Sequence, residues 1–182
     1  MKKSHRFEPK HRYGALAALL LAAALPSQAS AKDVPDTPLT MTVISDNAFG
    51  RTVTEGKYEQ AIDRITRNGR RIPKRFADQT NLCVAYTKTY EIEKARIACD
   101  AAISFVEQRG SRAWRGTWYE SAAVRAYQSD LAVALSNRGV LLAATGDAVL
   151  AERDFAAAIK LETALTSTIE NNLERLGQLT TS

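Results

Sequence analysis

One block of sequence is written twice in this chain. NLCVAYTKTYEIEKARIACDAAI, beginning at Asn81, lies over NRGVLLAATGDAVLAERDFAAAI, beginning at Asn137. Val84 falls on Val140, Ala95 on Ala151, and Ala102-Ile103 on Ala158-Ile159. A shorter third copy, EGKYEQAIDRI, puts Ala61 ahead of Ala95 by about 34 residues, a spacing typical of helical repeats. The second spacing, from Ala95 to Ala151, is longer than the first and reads as one period plus an insertion. Self-similarity at such a period means stacked copies of one supersecondary unit, none of which can bury its apolar face alone. The copies are rich in Ala and poor in Pro and Gly, so they read as paired helices and the chain as all-α.

A helix-turn-helix unit at this period resembles the tetratricopeptide repeat (TPR) family. Ala61, Ala95 and Ala151 stand where that family keeps a small residue so that the two helices of a hairpin can touch. Leu82 stands on an apolar place of the first helix, Cys83 and Gly139 on its small place, and Tyr86 and Leu142 on its large one. In the second helix Cys99 and Phe155 share one place and Ala102 and Ala158 another, and Pro73 matches the proline that closes a repeat. Gly56 and Gly146 match the turn glycine, where a left-handed backbone is easiest without a β-carbon. The chain departs from the pattern at Tyr90, which replaces a turn glycine, at Arg138, which replaces an apolar residue, and at Asn68, which replaces a small one. The first copy also lacks a convincing first helix.

The resemblance covers about residues 44–163 and implies a short superhelical array of about three helical hairpins, with an insertion at about 108–129 before the last. Leu165, Ile169, Leu173 and Leu176 recur at helical spacing beyond it, as expected of a C-terminal capping helix over about 165–178 with one polar face. The resemblance further implies a groove lined by the first helices, with Thr80, Val84, Thr87, Lys88, Ser136 and Val140 among its residues. The basic clamp by which some TPR domains hold a peptide's terminal carboxylate is missing. Asp46, Gly50 and Val133 stand where Lys, Asn and Lys would be expected, and Asn81 and Asn137 match only partly.

The N-terminus carries a separate message. MKKSHRFEPKHRYG holds five Lys or Arg against one Glu and precedes the apolar run ALAALLLAAAL and Ala29-Ser30-Ala31. This is the pattern of a secretory signal peptide, with cleavage expected after Ala31. The run is too short to span a bilayer comfortably. Residues 32–43 then read as a flexible leader and 44–182 as the helical domain of a periplasmic protein. Subtracting residues 1–31 from the chain's 25 Lys and Arg and 20 Asp and Glu leaves 20 against 19, so the basic balance belongs to the signal and gives no argument for nucleic acid. Both histidines, His5 and His11, leave with it. A mature chain without imidazole has no Ser-His-Asp or Cys-His nucleophile and no histidine metal ligand, so no metal or cofactor is expected.

Two cysteines remain, Cys83 and Cys99, and an even count in an oxidising compartment favours a disulfide. On the TPR register they occupy facing places of one hairpin at similar distance from its turn, so the bridge would tie helix to helix.

Two further surfaces attract notice. A basic cluster runs through Arg64, Arg67, Arg70, Arg71, Lys74 and Arg75, around an expected Asn68-Gly69 turn; a solvated loop is its simpler reading. The insertion holds both tryptophans, Trp114 and Trp118, with Arg109, Arg112, Arg115, Tyr119, Arg125 and Tyr127. Trp, Tyr and Arg are the types most enriched where partners bind, although two Trp four apart also suit simple packing. For catalysis only the carboxylates Glu120, Asp130 and Asp147 offer themselves, no spacing links them, and Asp130 after Ser129 reads as a helix cap. The expectation is therefore a non-enzymatic periplasmic scaffold that binds a protein or peptide, with Trp114, Arg115, Trp118, Tyr119 and the groove residues as candidate contacts. A carboxylate-based envelope hydrolase and a membrane-surface module acting through the basic cluster are the alternatives.

Overall fold

The computed structural model describes residues 38–46, 48–69, 75–113 and 121–181, all of them within the compact unit Asp33–Ser182. Among these residues there are seven helices and no strand paired to another: α1 (Ala48–Thr54), α2 (Tyr58–Gly69), α3 (Phe76–Lys88), α4 (Ile92–Ala113), α5 (Ser121–Ala144), α6 (Ala148–Ile159) and α7 (Thr166–Thr180). Helices α1 and α2, α3 and α4, and α5 and α6 pack as successive pairs, and α7 closes onto α6. The protein is all-α. None of the described helices is long and apolar enough to cross a membrane.

The three pairs turn in the same way. Each first helix ends with a residue in the left-handed region, Gly56 at φ 74°, Tyr90 at φ 59° and Gly146 at φ 88°. That residue's N–H returns to a carbonyl three back (Val53, Thr87, Ala143), and the next N–H reaches five back (Thr52, Tyr86, Leu142) at 2.9–3.1 Å. These are the paired bonds of a Schellman close, which satisfy carbonyls that a helix end leaves open. Tyr90 makes the turn without being glycine, and a β-carbon in this region costs about 1–2 kcal/mol. Tyr90→Gly is therefore expected to stabilise the protein by about 1 kcal/mol after the added freedom of the unfolded chain is deducted. A thermal melt unchanged or lowered in the variant would contradict this.

Packing within the pairs follows the repeated places. Ala61, Ala95 and Ala151 are wholly buried where the helices meet. Cys83 and Cys99 are joined in a disulfide with Cα atoms 4.8 Å apart, inside a cluster that includes Ile65, Leu82, Tyr86 and Leu141. The same two places in the last pair hold Gly139 and Phe155. A β-carbon on Gly139 would lie 2.7 Å from the Phe155 ring, so glycine is required for that ring to fit. Helix α3 lies at the centre and is buried at every residue from Gln79 to Thr87.

Several local expectations change. The described parts of the insertion are helix: α4 continues through Ala113 and α5 begins at Ser121, with Tyr127 packed against a core of Phe76, Ile103 and Val106. Asp130 is consequently inside α5 and caps nothing; its carboxylate takes an ion pair from Arg109 at the end of α4. The expected Asn68-Gly69 turn is the last turn of α2. From Pro38 onward the supposed flexible leader is an extended segment tied to three helices. Residues 1–31, assigned to the signal peptide, lie outside the described residues.

Candidate functional site

Three asparagines project from three different helices onto that extended segment. Asn81 on α3, Asn137 on α5 and Asn172 on α7 are each no more than 1% exposed. The side-chain oxygen of Asn172 accepts from the Thr40 N–H at 2.8 Å, and its Nδ2 donates to the Thr40 carbonyl at 2.8 Å. Asn137 does the same to Thr42, at 2.7 and 2.8 Å, and Asn81 to Ile44, at 3.0 and 3.0 Å. A primary amide carries an acceptor and a donor side by side. A residue in extended conformation shows its own N–H and C=O along one edge, and the next residue shows them along the other, so a ladder of amides can take only alternate residues. Thr40, Thr42 and Ile44 are those residues. At the outer end Arg175 adds a hydrogen bond to the Pro38 carbonyl.

The segment's apolar side chains pack against the helices, Leu39 almost fully buried and Met41, Val43 and Ile44 half-buried. Leu39 is 3% exposed, in a cluster with Val140, Phe155, Ile169 and Leu176. Met41 packs against three of the four core clusters, a place suited to a flexible thioether. Val43 meets the cluster of Val53, Ala61, Val84 and Ala85. The segment runs against the order of the helices, Thr40 at α7 and Ile44 at α3. Gly50 permits its close passage over α1, because a β-carbon there would run into the Ile44 carbonyl. Main-chain recognition by amides gives affinity for an extended backbone, and apolar pockets for alternate side chains select what that backbone carries.

Of the groove residues expected from the sequence, Val84 and Val140 lie against the segment, within core clusters that pack on it. Thr87 is buried and its hydroxyl donates to the Cys83 carbonyl at 2.7 Å. Ser136 and Thr80 are buried, and the Thr80 hydroxyl has no hydrogen-bond partner among the described residues. Lys88 is half-exposed at the end of α3. Thr80, Val84, Thr87, Ser136 and Val140 present no open surface. Arg67 is exposed and paired with Asp63 one turn earlier, and Arg75 is exposed at the start of α3. Arg70, Arg71 and Lys74 of the basic cluster, Trp114, Arg115, Trp118 and Tyr119 of the insertion, and Glu120 lie outside the described residues.

A second concavity, about 480 Å³, opens between α4, α5 and α6 around Arg138. The Arg138 guanidinium grips both oxygens of Asp154 at 2.7 and 2.9 Å and reaches Asp100 at 3.0 Å. These bonds, with Asp154 first, raise its already high pKa further, so it stays charged at any ordinary pH. The departure from the repeat pattern at Arg138 is thus an inter-helix brace.

Asn172 and the segment itself are absent from the sequence-based candidates. A signal was present: both long copies begin with Asn, Asn172 follows Asn137 by close to one repeat period, and Leu39, Met41 and Val43 alternate with Thr40 and Thr42. Comparison with family models, with curated proteins and with solved structures finds no match to this chain.

Proposed function

We propose that this protein is a non-enzymatic, periplasmic TPR-like array of three hairpins and a capping helix that binds a protein or peptide partner as an extended strand. The observation that carries the reading is the asparagine ladder, in which three buried amides each bond both main-chain groups of alternate residues. The three equivalent turns and the alanine contacts support the TPR-like arrangement. The n-region, the apolar run and the disulfide support export to an oxidising compartment.

The test is a selection from a random short-peptide library against the full chain carrying Leu39→Ser and Met41→Ser, which loosens the resident segment and leaves the asparagines intact. Peptides with apolar residues at alternate positions should be enriched. Their capture should fail when Asn137→Ala is added. Enrichment that ignores Asn137→Ala, or none at all from a folded variant, would remove this reading.

A further inference from the structure

The groove already contains a peptide, and that peptide is part of the same chain. We propose that residues Leu39–Ile44 are a resident ligand, which an external extended peptide of the same pattern must displace in order to bind. The inference rests on the peptide-binding reading above and adds to it the ligand's pattern, its direction and the regulation of the site.

Three observations support displacement. All six ladder bonds reach main-chain atoms, so any extended peptide can make them equally well. Leu39 is deeply buried, whereas Met41, Val43 and Ile44 remain half-exposed, so the segment is seated along a surface and not sealed beneath one. On its C-terminal side the segment joins α1 a few residues beyond Ile44, so it can swing away from that joint without α1 having to break.

The seated segment also defines its competitor. A displacing ligand is extended, has apolar side chains matching Leu39, Met41 and Val43, has small uncharged residues between them, and lies with its N-terminal end over α7. A charged residue at the Leu39 place would enter a cluster formed by Val140, Phe155, Ile169 and Leu176 and would be rejected.

The experiment uses a fluorescent peptide with the sequence of residues 38–45, PLTMTVIS, and the full chain, read by fluorescence anisotropy with circular dichroism as the check on folding. Wild type should bind the probe weakly. The Leu39→Ser/Met41→Ser variant should bind it at least tenfold more tightly, and adding Asn137→Ala should abolish binding. A probe with Asp in place of the leucine should fail with every form. Equal affinity for wild type and the loosened variant, with binding still lost on Asn137→Ala, would overturn displacement and leave the groove reading standing. Absent binding, or binding indifferent to Asn137→Ala, would remove both. A wild-type dimer that the probe dissociates would assign the seated strand to a second copy and overturn the proposal as stated.

Discussion

Asn137→Ala is expected to lower stability by about 2–4 kcal/mol, since it strands two main-chain groups at once, and to expose the main chain of residues 40–44 to hydrogen exchange. Asn137 is the middle rung. Its loss leaves the Thr42 N–H and carbonyl without partners in a partly buried setting, and a buried group left unsatisfied costs about 1–3 kcal/mol. The cost is bounded because the segment can lift and let water replace the amide. Exchange at the Thr42 amide should rise most, with Thr40 and Ile44 following as the end rungs lose their neighbour. The helices should lose protection only as far as global stability falls. Exchange unchanged over residues 40–44 would show that the ladder does not hold the segment in solution.

Reducing the Cys83–Cys99 bond should have a comparable effect on stability through a different cause. The bond joins residues 16 apart in sequence, and closing a loop of that size stabilises by about 3 kcal/mol through the entropy of the unfolded chain. With a urea dependence of about 2 kcal/mol per molar for a domain of this size, the unfolding midpoint should fall by about 1.5 M when reductant is added. The contrast with the last pair explains why the bond sits where it does. Gly139 and Phe155 close the equivalent gap with a ring lying against a bare α-carbon, whereas Cys83 and Cys99 close it covalently. A midpoint indifferent to reductant would mean that the cysteine places are held by packing alone.

Helices and turns were readable because their causes are local. The repeat spacing, the three alanines and the glycines at 56 and 146 all concern residues within one hairpin, so a pattern in the sequence is the contact in space. Tyr90 shows the limit of this: its place marked the turn although its side chain opposed it. The cysteine pair was legible for the same local reason. The extended segment was not. Its alternation spans only Leu39 to Val43, and its partners lie 37, 95 and 132 residues away on helices. A strand normally announces itself with a second strand, and here side-chain amides take that role. Asp130 was misread because a cap signal is short, while the ion pair with Arg109 that accounts for it depends on how α4 meets α5. Of the site, the layer beneath the segment was legible in Val84 and Val140, whereas Asn81 and Asn137 drew notice only as partial matches to a carboxylate clamp and Asn172 drew none.

The direction of the seated segment also sets an order of events in time. Its first rung is Asn172, contributed by the last helix of the chain, 132 residues downstream of Thr40. Emerging from a ribosome, the segment would appear before any surface able to receive it, would meet its rungs in the order Asn81, Asn137, Asn172, and would lack Asn172 until α7 had packed. The completion of its seating is thus a late step of folding. A chain truncated before α7 would be left with Leu39 and Thr40 unheld, the condition in which proteases find a substrate most readily.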